Sequence, residues 1–466
     1  MVVNSEIEPE REERGGRGGA AARGRDLTEG TVRGHLARLG LPMTLGIVGV
    51  LSISLVDAYY LGKLGTNAQA AIAYAFGVTF TLQSLGIGLS AGAASVVSRA
   101  IGGGDAGRTR RLATDSLVLA VLVVSALTAL GLVFVRPLFA LLGAEGAVLD
   151  DVAAYMRIWF FGLPFLVVPM VANGLIRANG DAVAPSAIMV FAAVVNVVLD
   201  PLLILGRGPF PALGIEGAAW ASLVARLVTL VAAILILVLR ERLLTFRPPP
   251  LADLLTSWRE VLVVGAPAAV STSVNPLAIT LVTAFLSRFG EETVAAFGIG
   301  TRIEALACVP LLALSSAVGP VAGQNWGAGR VGRVRDALSS CFAFSAVWAG
   351  VLGLVFWLAG PPLAALFTGD AAVAEAVVRY LRIVAVTLGG YGVIVTASAA
   401  FNATGRALQG LGMTALRSLA LYAPLAGAGV LMGSASLAFG GIAAANLAAG
   451  GLVAWWALAR TRPGIR

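Results

Sequence analysis

Charged side chains are scarce in this chain of 466 residues: Asp, Glu, Lys and Arg together make up 12% of it, about half of the roughly 25% typical of soluble domains. Cysteine occurs twice, at Cys308 and Cys341, and histidine once, at His35. These small numbers argue against a disulfide framework or a His/Cys metal cluster. We interpret the cysteines as small core residues and His35 as solvated. No Ser/His/Asp set or nucleotide-binding loop appears, so we expect no enzymatic activity and no cofactor.

Apolar residues, by contrast, make up 58% of the chain. Runs such as 112–135 and 223–240 are long enough, or nearly so, to cross a bilayer of about 30 Å as a helix. They are rich in Ala, Leu, Val and Gly and lack the alternation of barrel strands. The predicted fold class is an all-α integral membrane protein with twelve transmembrane helices, at 39–62, 70–98, 113–135, 152–176, 184–205, 215–239, 261–287, 293–320, 337–358, 376–401, 412–433 and 438–459.

Arginines predict the orientation of these spans. They cluster after even-numbered spans, as in 108–111, 240–247 and 330–335, whereas odd-numbered spans are followed by the isolated Lys63, Arg136, Arg207 and Arg288. Because basic loops stay in the cytoplasm, we expect both termini there and the chain in the inner (plasma) membrane. We interpret the net charge of +8 as loops facing anionic lipid, not nucleic acid. Residues 1–35, which lack an apolar core, are predicted to form a disordered cytoplasmic tail.

The chain contains an internal repeat at a spacing of 225 residues. Gly40 and Pro42 match Gly265 and Pro267, and "YMRI" (155–158) matches "YLRI" (380–383). Six spans separate the copies, which predicts two six-helix lobes, 36–242 and 261–460, related by a pseudo-two-fold axis along the membrane normal. A cytoplasmic linker, 243–260, would join them, and 461–466 would form a cytoplasmic C-terminus. The glycine-rich stretches 102–110 and 327–335 lack a preceding strand, so we predict tight turns with lipid-facing arginines and no dinucleotide site.

The two copies differ in their acids. Asp57 corresponds to Val282, and Asp200 falls opposite Leu425. A charge at membrane depth costs about 3 kcal/mol or more and usually marks an ion or proton pathway. At 1.5 Å per residue, both aspartates lie roughly 9–10 Å below the outer surface. Only the first lobe therefore carries two carboxylates at one level of the membrane.

Further oxygens share this level. Asn196 lies one helical turn from Asp200 on the same face, and Ser222 and Tyr155 reach a similar depth in neighbouring spans. Such oxygens suit a hard cation, and two close carboxylates resist joint ionisation, which suits a shared proton. We therefore predict a site for a coupling ion, H⁺ or Na⁺, at Asp57, Asn196, Asp200, Ser222 and Tyr155, with any Na⁺ held by the first three.

Structural roles remain open for these residues. Asp200 could tie down backbone beside Pro201, and Asp57 could bond a helix end. Tyr155 could anchor at the interface, and Ser222 could serve helix packing. Arg302 and Glu304 could form an inter-lobe pair or gate, or a structural pair. Four polar residues could line a substrate cleft or bond helices together: Asn173, Gln83, Asn275 and Asn402.

Three stretches resemble the MATE (multidrug and toxic compound extrusion) family: "LPMTLGIVGVLSISLVDAYYLGKLG", "NGLIRANGDAVAPSAIMVFAAVVNVVLDPLLILG" with "LGIEGAAWAS", and "GIGTRIEALACVPLLALSSAVGPVAGQNWGAGRVGRVR". The similarity extends over nearly everything after residue 35. It implies a V-shaped antiporter that exports organic cations in exchange for H⁺ or Na⁺. The DinF-like and archaeal branch implies coupling at Asp57 and Asp200, with Asn196, Ser222 and Tyr155 alongside. The branch coupled through spans seven and ten matches less well, because span seven has Asn275 and no Glu.

Other function classes remain as alternatives. A flippase for lipid-linked precursors, from the related superfamily, would need a strongly cationic cavity, whereas the basic residues here are mostly in loops. A channel or non-transporting receptor would not explain a duplicated design with acids in one copy. We expect a monomer in the lipid bilayer that handles small organic cations.

Overall fold

The computed structural model describes residues 26–462 apart from 62–65, 207–209, 246 and 248. All regular structure in this part of the chain is helical. The first lobe contains α1 (Val32–Leu61), α2 (Thr66–Gly102), α3 (Ala106–Leu141), α4 (Gly146–Phe161), α5 (Leu163–Ala178), α6 (Val183–Leu205) and α7 (Gly214–Leu235), which continues as a π-helix (Ile236–Arg240). The second lobe contains α8 (Leu251–Leu286), α9 (Glu291–Ala307), α10 (Val309–Gly327), α11 (Val331–Ala365), α12 (Ala371–Val384), α13 (Leu388–Ala403), α14 (Ala407–Ala415), a π-helix (Leu416–Tyr422), α15 (Ala423–Leu431) and α16 (Ala435–Arg460).

Ten helical stretches among the described residues are long and apolar enough to cross a membrane. Two further stretches are bent helix pairs, α4 with α5 at 42° and α9 with α10 at 46°. Each bend is followed by a proline, Pro164 or Pro310, at the start of the second helix, where its missing N–H interrupts the helical hydrogen bonds. Counting each pair as one span gives the twelve predicted spans.

The two lobes share one internal packing pattern. In the first lobe α1 packs on α6, α2 on α5 and α6 on α7. In the second lobe their counterparts pack in the same way: α8 on α14, α10 on α13 and α15 on α16. The predicted two-lobe architecture is therefore confirmed. Cys308 and Cys341 are buried and unbridged, as expected of small core residues.

The lobes contact each other through α2 against α8 and α10 against α1. Glycines permit the closest approaches. A Cβ on Gly92 would lie 2.3 Å from the carbonyl oxygen of Val261, and one on Gly327 would lie 2.1 Å from that of Arg99. These contacts lie in the half of the molecule nearer the two chain ends, here called the chain-end side, which is the predicted cytoplasmic side. The lobes are therefore closed against each other on the chain-end side.

The glycine-rich turns correct one prediction in part, because Arg108 and Arg333 contact protein across the lobe boundary instead of facing lipid. Arg108 pairs with Glu260 at 3.0 Å, and Arg111 with Asp253 at 2.9 Å. Arg333, the repeat counterpart of Arg108, donates to the carbonyl oxygen of Gly30 at 2.9 Å. Each lobe thus holds the segment that leads into the first span of the other lobe.

Two predicted boundaries are also wrong. The predicted tail, 1–35, is too long, since α1 begins at Val32 and residues 26–31 dock on the second lobe. Leu27 is fully buried there, and its N–H donates to Oε1 of Gln324 at 3.1 Å. The predicted linker, 243–260, is too long because α8 begins at Leu251. Residues 1–25 of the predicted tail, Lys63 and Arg207 lie outside the described residues.

Candidate functional site

A cavity of about 930 Å³ lies between the lobes. Its first-lobe wall comes from α1, α2, α5, α6 and α7, and its second-lobe wall from α8, α10, α13 and the helices around Arg417. All four predicted cleft residues line it: Gln83, Asn173, Asn275 and Asn402. The side-chain oxygens of Asn173 and Asn402 have no protein hydrogen-bond partner. These two oxygens are buried in the wall without a protein partner.

The structure brings the two predicted acids together in the first lobe. Because α1 packs along α6, the carboxyl groups of Asp57 and Asp200 lie close enough to interact with each other. Asp57 lines the cavity, whereas Asp200 is fully buried behind it. No protein donor reaches either oxygen of Asp200 or Oδ1 of Asp57. Asp200 thus makes no hydrogen bond to the backbone beside Pro201. The alternative role, in which Asp200 would tie down that backbone, therefore has no supporting contact.

Asn196 and Ser222 complete this cluster. Asn196 is fully buried, and its Nδ2 lies 3.4 Å from Oγ of Ser222, a long hydrogen bond. Its Oδ1 receives no protein hydrogen bond. Amide and hydroxyl oxygens are hard-cation ligands. The arrangement can therefore share a proton between carboxyl groups or surround a small cation with oxygens.

Arg226 of α7 lies near the same cluster, and Tyr155 of α4 lies close to both. Tyr155 is within electrostatic range of Asp57, Asp200 and Arg226, although it does not line the cavity. The Arg226 guanidinium stacks over Trp159 at 5.2 Å from the ring centroid. Arg226 therefore places a positive charge beside the carboxyl pair.

The structure does not support an inter-lobe pair between Arg302 and Glu304. Glu304 accepts a hydrogen bond of 2.6 Å from the Tyr380 hydroxyl, and Arg302 is exposed. The reason is that α9 packs on α8, α10 and α12, all in its own lobe. Residues two apart on a helix also point in different directions. Glu304 is therefore bonded within the second lobe.

Arg417 occupies the second-lobe wall, in the π-helix Leu416–Tyr422. It is only 3% exposed. Nε donates to Oδ1 of Asn446 at 2.8 Å, and Nη1 donates to Oδ1 of Asn275 at 2.7 Å. The guanidinium lies between two rings, 4.7 Å from the Tyr391 centroid and 5.0 Å from the Tyr422 centroid. Asn275, predicted as a cleft residue, thus also positions this arginine.

Three arginines and one aspartate are the charged residues of the cavity wall among the described residues: Arg177, Arg226, Arg417 and Asp57. Sequence reasoning missed Arg226 and Arg417 altogether and treated Arg177 only as a loop charge. Both missed residues stand inside apolar runs, and an ionisable residue inside a span is a candidate functional residue. That signal was available from the sequence.

Known proteins share this architecture. The MatE family model matches residues 42–202 and 267–427, one segment in each repeat copy. A relative from Shewanella oneidensis named "FAD transporter" is 37% identical over 394 residues, covering 84% of this chain and 87% of the relative. A Bacillus subtilis relative named "Probable multidrug resistance protein YoeA" is 27% identical, covering 72% of this chain and 73% of its own length.

Solved structures agree with this assignment. One described as the outward-facing conformation of a multidrug resistance MATE family transporter matches with a TM-score of 0.87 at 27% identity, covering 94% of this chain and 98% of its own. The repeat, the twelve spans and the cleft between two lobes thus recur in that structure. This chain is a multi-pass membrane protein that belongs to the MatE family of transporters.

Proposed function

We propose that this protein is a secondary active transporter that exports organic compounds in exchange for H⁺ or Na⁺. The carboxyl pair is the observation that supports this most, because Asp57 lines the cavity, Asp200 is fully buried, and neither Asp200 oxygen nor Oδ1 of Asp57 has a protein hydrogen-bond partner. Carboxylates in spans are costly and typically serve ion or proton pathways. Asn196 and Ser222 would add oxygens for the coupling ion. This is the first-lobe coupling that the DinF-like resemblance implies.

Alternating access follows from the packing. In the described state the lobes meet on the chain-end side, and cargo would leave from the opposite side. Ion binding between α1 and α6 would change the packing of the two helices that carry the acids. Coupling requires that ion and cargo bind the two states with different affinities. We place the chain-end side in the cytoplasm of a cell with the transporter in its plasma membrane, as a monomer.

The relatives suggest two kinds of cargo. Names that mention multidrug resistance agree with the organic cations implied by the sequence resemblance, whereas the Shewanella relative is named as a transporter of FAD, a phosphate-bearing flavin. The arginines on the cavity wall are a specific observation that favours the second kind. They also weaken the argument from sequence against a lipid-linked precursor flippase, which remains the alternative function.

Transport by purified protein in proteoliposomes tests the proposal. Efflux of ethidium and of FAD would be followed under a pH gradient alone and then under a Na⁺ gradient alone. We expect one gradient to drive efflux, and Asp57→Asn and Asp200→Asn each to abolish that dependence. Asp150→Asn is a matched control, because Asp150 is an exposed carboxylate paired with Arg136 at 2.6 Å. Gradient-driven efflux that persists in both span variants would rule out the proposed coupling site.

A further inference from the structure

We infer that the second-lobe wall of the cavity is an anion-binding site built on Arg417, and that the cargo is an aromatic compound carrying phosphate. The inference deepens the proposed function, since it names the cargo class of the same cavity. It stands on the surroundings of Arg417, on a second unpaired arginine and on the aromatic residues of the wall.

Arg417 forms no ion pair with any described residue. Its two hydrogen-bond acceptors, Asn446 and Asn275, are neutral amides. Among the described residues, no acceptor reaches Nη2 and no carboxylate forms an ion pair with the guanidinium. Glu304 is within electrostatic range but is bonded to Tyr380. A buried charge without a counter-ion is costly, and a bound anion would supply the missing partner.

The surroundings also fix the direction of Arg417. Two amides and the faces of two tyrosine rings hold the guanidinium, so little side-chain freedom is left to lose on binding. A planar guanidinium matches the oxygens of phosphate better than an ammonium group does. One N–H on Nη1 and both on Nη2 remain for a ligand in the cavity. Arg417 is therefore preorganised as an anion ligand.

A second arginine lines the same cavity from the first-lobe wall. Arg177 lines the cavity at the end of α5, and no described residue forms a hydrogen bond or ion pair with it. Arg226, by contrast, faces Asp57. Arg177 and Arg417 are therefore the two cavity guanidinium groups that neither face Asp57 nor form an ion pair with a described residue. An organic cation would meet like charge at both, which disfavours it.

Two aromatic residues contribute to the cavity wall, one from each lobe. Tyr391 both stacks on Arg417 and lines the cavity, and Phe165 lines it from the first lobe. Aromatic rings bind ring systems through offset or edge-to-face contacts. The cavity of about 930 Å³ is at the upper end of the range of roughly 300–1,000 Å³ typical of ligand pockets. A ring system joined to phosphate, as in a nucleotide or flavin nucleotide, matches all of these features.

Flavin mononucleotide and riboflavin provide a direct test, because they share one ring system and differ by a phosphate. Binding of each to the full chain in detergent would be measured by flavin fluorescence and equilibrium dialysis. We expect the phosphorylated form to bind at least about tenfold more tightly, the effect of one hydrogen bond to a charged group. Arg417→Gln should remove most of that preference and leave riboflavin binding unchanged.

Two further variants distinguish a loss of phosphate binding from a folding defect in Arg417→Gln. Arg177→Gln breaks no described hydrogen bond, so it should fold normally and still weaken the phosphate preference. Arg406→Gln is the matched control. The Arg406 guanidinium lies 4.6 Å from the centroid of the Trp326 ring, and Arg406 does not line this cavity. Equal affinity for both flavins in the wild-type chain, or a preference unchanged in both Arg417→Gln and Arg177→Gln, would overturn the inference.

The outcome separates this inference from the proposed function. If an ion gradient drives ethidium efflux while neither flavin mononucleotide nor FAD binds, ion-coupled export stands and the anion site is refuted. If flavin mononucleotide binds through Arg417 but no gradient moves any cargo, the anion site stands and the coupling proposal fails.

Discussion

The acid pair and the most buried arginine of the cavity wall lie in different lobes. The first lobe places Asp57 against Asp200 with no protein donor for the Asp200 oxygens. The second lobe holds Arg417 with two neutral amides. In the proposed mechanism the first lobe binds the coupling ion and the second binds the cargo. The two ligands then act on different lobes of one cavity.

Tyr380 is expected to stabilise the second lobe through its hydrogen bond of 2.6 Å to Glu304. In Tyr380→Phe, a buried carboxyl group loses its donor, which typically costs about 1–3 kcal/mol. Tyr74→Phe is the matched control, because the Tyr74 hydroxyl bonds the Gly143 carbonyl at an exposed position. Thermal unfolding in detergent should show a clear drop in Tm for Tyr380→Phe only; similar Tm values for the two variants would contradict the assignment.

The pKa of Asp26 lies below its ordinary value. Burial alone would raise this pKa, but the hydrogen bonds from Thr28 and the charge of Arg330 together outweigh burial and lower it. A carboxyl group with a lowered pKa stabilises the folded state above the unfolded pKa, and that contribution is lost as pH falls through the folded pKa. We expect docking of residues 26–31 to weaken below about pH 4, seen as faster proteolysis there. Asp26→Asn should remove this acid dependence, and an unchanged pH profile would count against it.

Sequence reasoning found some of these side chains and missed others for physical reasons. Asp57 and Asp200 are conspicuous, since a carboxylate in an apolar run is rare and the repeat shows no counterpart. Arg226 and Arg417 were overlooked because the arginines were considered mainly where they lie in loops, as markers of orientation. The bond between Tyr380 and Glu304 joins residues 76 apart. No local spacing could have predicted that contact, so the alternative of an inter-lobe pair remained open.

Helix α2 is the element on which closure depends, because it packs along α8 of the other lobe. A methyl group at Gly92 would collide with the Val261 carbonyl, and overpacking of this kind typically costs about 1–3 kcal/mol. Gly92→Ala should therefore shift the population away from the described state. Distances between spin labels on the two lobes, at the chain-end side, would lengthen or broaden.

Gly77→Ala, on the same helix, is the control for this experiment. A Cβ at Gly77 meets nothing within 4 Å, so the substitution should leave the distances unchanged and slightly favour the helix, by roughly 1 kcal/mol at most. Identical distance distributions in Gly92→Ala and the wild-type chain would show that this contact does not set the closed state.

At the scale of elements, hydropathy predicted the twelve spans but not their ends. The stretch 251–260 is helical yet contains charged residues such as Asp253 and Glu260, so it carries no membrane signal and was assigned to a linker. Prolines 164 and 310 accompany the two bends. The angles of 42° and 46° depend on packing against neighbouring helices, which the sequence does not display.

The whole molecule is held in its described state by arginines that cross between lobes. Arg333 donates to the carbonyl oxygens of Leu27, Glu29 and Gly30, which precede α1. Arg333→Ala should loosen the chain-end side and expose residues 26–31 to protease. Arg335→Ala is a matched control in the same turn, with no described hydrogen bond or ion pair. Equal protease sensitivity of the two variants would exclude this role for Arg333.

An acid pair in one lobe and Arg417 in the other would also make the proposed transport cycle electrogenic. If a cation enters on the first lobe's acids and an anion leaves from the second lobe's arginine, both movements carry current in the same direction. Each elementary charge that crosses the membrane gains about 2.3 kcal/mol per 100 mV. The resting voltage of a cell, negative inside, would then drive export even with H⁺ and Na⁺ equal on both sides, and transport would be measurable as an inward current.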